Sequence, residues 1–166
     1  MIALFIGRFQ PFHKGHLHDI KEALNFSDKV IIGIGSSQEQ GTTDNPFSFE
    51  ERKEMIEMVL KKNNISDYEI KSIPDINDDT KWVDHVVSLI GNFDIAYTGN
   101  SWVKRLFQRK GIEVKDVILL KDITATEIRK RIDRNENWQD LVPIEVVDYI
   151  KKIEGVNRIK EIKGIL

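Results

Sequence analysis

The sequence predicts an α/β fold, in which a doubly wound, five-stranded parallel sheet is followed by a helical C-terminal tail. Short, continuous apolar runs rich in β-branched residues, typical of strands covered on both faces, alternate with segments of helical periodicity. The alternation ends near residue 120, and only helical patterns follow. A length of 166 residues suits a single domain, with an alternating core over 1–120 and a helical part over 121–166.

Apolar spacing and capping signals place the individual elements in chain order. A capping box at Ser48 and Glu51 begins the second helix, and Gly111 ends the fourth. We expect strands at 2–6, 30–35, about 68–73, 93–99 and 113–120. We expect helices at 15–26, from Ser48 to Asn63 or Asn64, around 82–90, at 101–111, 124–134, roughly 143–154, and a short piece within 157–166. This order is typical of a Rossmann-like sheet, in which ligands bind beyond the carboxyl ends of the strands.

Composition and charge exclude several classes of protein. Hydrophobic residues make up 40% of the chain and no apolar run approaches a membrane span of about 20 residues, so no membrane partner is expected. The start of the chain lacks the pattern of a signal peptide, which predicts a cytoplasmic location. The absence of cysteine excludes disulfides and cysteine-based sites. A net charge of −2 argues against a nucleic-acid partner, so any anion site must be local.

Residues 7–16, GRFQPFHKGH, hold more hydrogen-bond donors than a loop after a strand requires. Gly7 permits close backbone approach, and Gly15 keeps bulk away from the next helix start, whose unpaired N–H groups suit a phosphate. Arg8, His13, Lys14 and His16 add side-chain donors and positive charge to this loop. Together these features predict a polyphosphate site. Solvated loop side chains remain an alternative, as does a metal site on the His-x-x-His spacing, which lacks the further ligands of a zinc site.

A second motif, ITATEIRKRI, covers residues 123–132. Thr124 with Glu127 predicts another capping box. Capping does not account for Thr126, nor for the basic residues that follow, because a helix start favours acidic side chains. These basic residues are Arg129, Lys130, Arg131 and Arg134. An anion at the helix start would account for them, so the Thr126 hydroxyl and Arg129 are predicted to hold a second part of the polyphosphate.

The two motifs together resemble the H-x-G-H and I-S-x-T-x-x-R signatures of the nucleotidyltransferase α/β-phosphodiesterase superfamily. The long form of the first motif, DNPFSFEER at 44–52, the tryptophan after DINDDTK and TGN at 98–100 resemble the archaeal-type nicotinamide-nucleotide adenylyltransferases. The resemblance extends to about Ile159. It implies the partners ATP and nicotinamide mononucleotide, which would react to NAD⁺ and pyrophosphate, with Mg²⁺ bound with ATP. It also implies a homo-oligomer and suggests a hexamer.

The resemblance implies roles for individual residues. The catalytic residues would be His13, His16 and Arg129. The ATP phosphates would be bound by Gly7, Arg8, Lys14, Gly15, Thr124 and Thr126. The nicotinamide nucleotide would be bound by Ser36, Asp79, Trp82, Gly99 and Asn100. Trp82 would stack on the nicotinamide ring, although its helical spacing fits core packing equally well. No side chain is expected to be a metal ligand.

Four positions depart from the pattern of the family, and the identity of the acceptor stays open. Thr124-Ala125-Thr126 replaces the usual Ser-Gly-Thr, Asp79 stands where relatives often have asparagine, and Asp44 stands where some relatives carry a basic residue. Alternatives within the superfamily are AMP transfer to phosphopantetheine, a flavin nucleotide or nicotinic acid mononucleotide, and CMP transfer to a polyol phosphate. Outside enzymes, the alternatives are a non-catalytic nucleotide sensor and an RNA-binding module using the basic run 104–110.

Overall fold

The computed structural model of the chain describes residues 1–117, 120 and 123–166. The chain groups into two compact units. The first consists of Met1–Gly7, His18–Ser37 and Asp67–Leu119, and the second of Arg8–Leu17, Gln38–Ser66 and Leu120–Leu166. No helix within the described residues is both long and apolar enough to cross a bilayer.

The first unit contains a five-stranded, all-parallel sheet with the strand order β3-β2-β1-β4-β5. Its strands are β1 (Ile2–Gly7), β2 (Lys29–Gly35), β3 (Tyr68–Ile73), β4 (Ile95–Thr98) and β5 (Val114–Asp116). The strand order reverses at β1, which pairs with both β2 and β4, so the switch point of the sheet lies between β1 and β4. The predicted Rossmann-like α/β fold is confirmed. The predicted fifth strand extends over positions 118 and 119, which lie outside the described residues.

The helices begin and end within a few residues of the predicted bounds. They are α1 (Lys14–Phe26), α2 (Phe49–Lys62), α3 (Asp79–Ile90), α4 (Ser101–Arg109), α5 (Ala125–Asp133), α6 (Ile144–Lys152) and α7 (Gly155–Ile162). The capping box of α2 is confirmed, because Ser48 Oγ accepts from the Glu51 N–H at 3.2 Å and the Glu51 carboxylate accepts from the Ser48 N–H at 3.0 Å. A single 3₁₀ turn at Gln139–Leu141 was not predicted.

In the first unit, a core joins the sheet to α3 and α4. Leu4, Ile6 and Ala96 from the strands pack with Trp82 and Phe107 from the two helices, and all are nearly inaccessible to solvent. These helices follow β3 and β4, so this packing holds the carboxyl ends of both strands beside the helix starts.

Gly33 in the middle of β2 is required by this packing. A Cβ at this position would lie 2.5 Å from Cδ1 of Ile73 and 3.3 Å from Cγ1 of Ile6, both of which are buried. Gly33→Ala is therefore expected to lower the free energy of unfolding by about 1–2 kcal/mol, measured by urea denaturation. Gly35→Ala is the matched control, since its nearest atom, the Gly7 carbonyl oxygen, would be 3.7 Å away. Equal losses in the two variants would contradict this explanation.

In the second unit, α2 packs against α6, and α7 contacts both α5 and α6. Nη1 of Arg158 in α7 donates to the two carboxylate oxygens of Glu51 at 2.8 and 2.7 Å. The same carboxylate completes the cap of α2. The predicted helical tail is thus tied to the first turn of α2 as well as packed on itself.

Candidate active site

The loop after β1 is held by buried hydrogen bonds of Gln10. This side chain is 1% exposed, and its amide Nε2 donates to the Phe47 carbonyl at 2.9 Å while its Oε1 accepts from the Phe47 N–H at 2.9 Å. Phe9 and Phe12 on either side are also buried. The apolar and amide residues of the GRFQPFHKGH motif therefore shape the loop, and this leaves the basic residues and histidines to present donors.

His13 and His16 form a stacked pair in this loop. Their ring centroids lie 3.5 Å apart, with an angle of 16° between the planes. The Nδ1 atom of each ring accepts a hydrogen bond at 3.2 Å from the backbone N–H of the other residue. Because Nδ1 is an acceptor in both rings, the geometry favours the neutral tautomer that carries its proton on Nε2.

Gly15 lies between the two histidines, and the His13 ring closes over it. A Cβ at Gly15 would lie 3.0 Å from both Cε1 and Nδ1 of His13. Any larger residue would therefore push the His13 ring away from His16 or from the helix start. The glycine is explained by this close approach.

Both histidines are uncharged near neutral pH. Burial lowers the pKa of His13 to about 4. Burial, together with the neighbouring His13, holds the pKa of His16 well below its ordinary value. The sequence led us to expect donors and positive charge from the same four side chains, but the histidines supply donors without charge. Positive charge in this part of the chain comes from arginine and lysine side chains, among them Arg8, Lys14 and Arg129.

This difference in pKa predicts acid sensitivity. Between pH 7 and pH 5, His13 is expected to lower the free energy of unfolding by about 2 kcal/mol. An unfolded histidine, with a pKa near 6.5, takes up a proton in this range, whereas folded His13, with a pKa of about 4, does not. The unfolded state thus binds more protons, and stability falls as the pH falls from about 6.5 towards 4. Urea unfolding at the two pH values measures the loss. An equally steep loss in His13→Gln would show that His13 is not its source.

The start of α5 is capped by Thr124, whose Oγ1 accepts from the Glu127 N–H at 3.1 Å. Only this half of the predicted capping box forms, because the Glu127 carboxylate accepts instead from Nε of Arg131 at 3.0 Å. Thr126 is exposed. Within the described residues, no acceptor is bonded to the backbone N–H groups of Ala125 and Thr126. These two N–H groups at a helix start are suited to an anion.

Arg129 connects the two sequence motifs. Its side chain is 7% exposed, and Nη1 donates to the Gln10 carbonyl at 2.8 Å while Nη2 lies 3.5 Å from the Asp44 carboxylate. Burial lowers the pKa of Arg129. The neighbouring charge of Asp44 raises this pKa, whereas the charge of Arg8 lowers it further. The guanidinium is therefore a buried charge shared between the loop after β1 and the loop before α2.

Two other basic side chains are already engaged. Arg131 donates to Glu127 and, at 3.1 Å, to the Asn137 carbonyl, so helix packing accounts for it without an anion. Lys14 is exposed and donates to the Asp140 carbonyl at 2.7 Å, which leaves further ammonium protons for a phosphate.

Arg52 was missed by the sequence analysis. It is fully buried, and it donates to the carbonyls of Arg8 at 3.0 Å, Ser48 at 3.2 Å and Glu39 at 3.4 Å. It thus fixes the backbone at Arg8. The available signal was its position on the same helical stripe as the apolar residues of α2, where a solvated arginine is not expected.

Residues predicted for the nicotinamide nucleotide follow the strands of the first unit. Ser36 follows β2 with a positive φ of 46°, and Gly99 and Asn100 follow β4. Gly7, which is predicted for the ATP phosphates, ends β1. These positions share the carboxyl edge of the sheet, where ligands bind in this fold class. The Asn100 side chain caps α4, since its Oδ1 accepts from the N–H groups of Trp102 at 2.9 Å and Val103 at 3.3 Å.

Trp102 joins three of these predicted residues and was also missed. Its ring lies 5.1 Å from that of Trp82, and its Nε1 donates to the exposed Asp79 carboxylate at 3.1 Å. Asn100 caps its backbone N–H. Trp82 itself is 5% exposed and packs edge-on against Phe107 at 5.6 Å, so in this structure it is a core residue. Trp102 is half-buried, and it could be noticed in the sequence only as a second tryptophan beside TGN.

The fold and these donors define a class of protein: an α/β nucleotide-binding protein with a loop suited to polyphosphate. The cytidylyltransferase-like family model matches residues 4–158. The chain is 49% identical over 164 residues to nicotinamide-nucleotide adenylyltransferase of Methanococcus aeolicus, covering 98% of this chain and 95% of that one. It is 43% identical over 162 residues to the protein of the same name from Thermoplasma volcanium, covering 96% and 91%. The chain belongs to the cytidylyltransferase-like family, among its archaeal nicotinamide-nucleotide adenylyltransferases.

Solved structures agree with this assignment. A bifunctional NMN adenylyltransferase/ADP ribose pyrophosphatase from Francisella tularensis, complexed with AMP and a manganese ion, matches with a TM-score of 0.80 and 32% identity over 97% of this chain. A second structure of that protein matches with a TM-score of 0.79 and 30% identity. The chain spans about half the length of these structures, 51% and 52%. The resemblance inferred from the two motifs is thereby confirmed.

Proposed function

We propose that the chain transfers AMP from ATP to nicotinamide mononucleotide, giving NAD⁺ and pyrophosphate. The near-full-length identity to archaeal proteins of that name supports this reaction. The structural observation that carries it is the hydrogen bond from Arg129 to the Gln10 carbonyl, which joins the two phosphate motifs within one unit. The donors that would bind the ATP phosphates are Arg8, His13, Lys14, His16, Thr124, Thr126 and Arg129, with Gly7 and Gly15 allowing close approach.

The reaction needs no general base. The 5′-phosphate of the mononucleotide is largely dianionic at neutral pH, and its oxygen attacks the α-phosphorus of ATP directly. A new oxygen–phosphorus bond forms as the bond between the α-phosphorus and the bridging oxygen breaks, and that electron pair leaves with pyrophosphate. The protein must therefore position two anions and stabilise the charge that builds on the leaving group. We assign that stabilisation to the Nε2–H donor of His16 and to Arg129, with His13 supporting the stack.

The described residues do not form a protein cage for Mg²⁺. No group of three or more histidine, aspartate or glutamate side chains in the described part of the chain is arranged to hold a metal ion. The side chains of the loop are cationic or imidazole donors, which do not suit a hard cation. We therefore assign Mg²⁺ to the ATP phosphates, which supply oxygen ligands, and no step above requires a protein-bound metal.

The acceptor residues of the proposal lie in the first unit. Ser36, Asp79, Gly99 and Asn100 would contact the mononucleotide, and the stacking role predicted for Trp82 requires its indole to become accessible. The proposal also includes a cytoplasmic location and a single domain over 1–166, both expected from the sequence, and a homo-oligomer such as a hexamer, which rests on the resemblance.

A panel of acceptors tests this function. Purified protein with ATP and Mg²⁺ would be given nicotinamide mononucleotide, nicotinic acid mononucleotide, a flavin mononucleotide and phosphopantetheine, and pyrophosphate release would be followed. We expect the highest kcat/KM with nicotinamide mononucleotide. Pyrophosphate release with phosphopantetheine alone would mean that the chain transfers AMP to a different acceptor, as other members of the superfamily do. ATP binding without release in any mixture would favour the nucleotide sensor.

A further inference from the structure

The carboxylate of Asp44 contacts the guanidinium of Arg129, which the proposed function assigns to the ATP phosphates. Its Oδ1 lies 3.5 Å from Nη2 of Arg129, whose side chain is 7% exposed, whereas the Asp44 side chain is 73% exposed. The other terminal nitrogen of Arg129 donates to the Gln10 carbonyl. The guanidinium therefore has one nitrogen that holds the loop and one that faces an anion from the solvent side.

A short turn over residues 42–45 presents this carboxylate. The Thr42 N–H donates to the Asn45 carbonyl at 3.2 Å, and the Asn45 N–H donates to Oγ1 of Thr42 at 3.1 Å. Two residues later, Phe47 is anchored on Gln10 through both its N–H and its carbonyl. Asp44 thus sits on a defined turn beside a fixed anchor, and its position on Arg129 is built into the loop.

One buried polar group of this turn lacks a hydrogen-bond partner among the described residues. Asn45 is buried, and its Oδ1 has no hydrogen-bond partner among the described residues. A buried acceptor without a partner is unfavourable, so a rearrangement of this turn that gives Asn45 a donor would be compensated. This observation is independent of the charge on Asp44, and it shows that the turn does not use all of its hydrogen-bonding groups.

The charge of the Asp44 carboxylate and that of a polyphosphate determine which of the two binds Arg129 more strongly. A single contact from a largely exposed carboxylate contributes little stability, whereas a polyphosphate carries more charge and can accept several charge-assisted hydrogen bonds. We propose that Asp44 is a resident counter-anion of Arg129 that the ATP phosphates must displace, and that it thereby weakens the binding of ATP and speeds the release of pyrophosphate. This inference rests on the proposed function, because it takes Arg129 as a phosphate ligand.

Binding to pyrophosphate and to ATP, each without an acceptor, tests the proposal by titration calorimetry. Asp44→Asn is expected to tighten both dissociation constants by about three- to tenfold, and the gain should shrink at high salt. Asp44→Glu should retain most of the native affinity. Glu50→Gln, which removes one exposed acidic charge from the first turn of α2, is the matched control and should leave both constants unchanged.

Turnover gives the second readout. In Asp44→Asn the KM for ATP should fall, and kcat should stay level or fall as pyrophosphate leaves more slowly. Unchanged or weaker pyrophosphate binding by Asp44→Asn would overturn the proposal, as would equal tightening in Glu50→Gln. If the native chain formed no NAD⁺ while Asp44→Asn still tightened pyrophosphate binding, the proposed reaction would be wrong and the displacement would stand. If the native chain formed NAD⁺ but Asp44→Asn did not bind pyrophosphate more tightly, the proposed reaction would stand and the displacement of Asp44 would be wrong.

Discussion

His16→Ala is expected to lower kcat by about 10²–10³-fold and to change the KM for either substrate only slightly. The ring is fixed by its stack on His13 and by the hydrogen bond that its Nδ1 accepts. A neutral donor of this kind interacts weakly with the ground-state phosphates, and it gains most when charge builds on the departing pyrophosphate. The effect is therefore expected in kcat, measured by steady-state kinetics with both substrates varied.

His18→Ala is the matched control for this variant, because His18 lies on the same helix and outside the stacked pair. His16→Gln keeps a side-chain donor and should retain part of the activity if donation is what matters. Thermal unfolding of all three variants separates a loss of fold from a loss of chemistry. A raised KM with an unchanged kcat in His16→Ala would show that His16 binds substrate without acting in the transition state.

Arg129→Ala is expected to reduce kcat/KM by about 10²–10³-fold, since it removes a buried cation from the proposed phosphate site. It should also lower the free energy of unfolding by about 1–3 kcal/mol, because the Gln10 carbonyl loses the bond that Nη1 donates. Arg129→Lys should recover only part of the activity. A lysine ammonium is a point charge on a flexible side chain. It lacks the planar guanidinium, which can donate to the loop and to an anion at the same time.

Lys130→Ala is the control for Arg129, since Lys130 is an exposed basic residue next to it on α5. Kinetics measured well below the unfolding temperature of each variant would keep the catalytic and structural effects apart. Full activity in Arg129→Lys would mean that the planar guanidinium is not required and that a positive charge is sufficient. An Arg129→Ala variant no less active than Lys130→Ala would remove Arg129 from the proposed mechanism.

Local signals predicted the fold well. The bounds of β3 and the capping box at Ser48 were both obtained from the sequence, because strand periodicity and caps depend on residues a few positions apart. The assignment of α2 to the same unit as the C-terminal helices was not predicted. That grouping depends on contacts between distant segments, such as the ion pair of Arg158 with Glu51.

The candidate site was predicted as a list of residues, but not as an arrangement. Gln10, Arg52 and Trp102 were missed because their partners lie 37, 44 and 23 residues away, and the local sequence does not identify those partners. The apolar stripe of α2 marks Arg52 as buried without showing what it contacts. The charge of the histidines was misjudged for a related reason: desolvation depends on tertiary burial. Periodicity placed Trp82 equally well in the core or on a ligand, and the structure shows it in the core.

Position-specific labelling tests the proposed reaction most directly. The native protein would be incubated with Mg²⁺, nicotinamide mononucleotide and ATP labelled either at the α- or at the γ-phosphate, and the products would be separated. Attack at the α-phosphorus predicts that the α-label appears in NAD⁺ and the γ-label in an equal amount of pyrophosphate. Release of the γ-label as inorganic phosphate with ADP, or no labelled dinucleotide at all, would contradict AMP transfer by this protein.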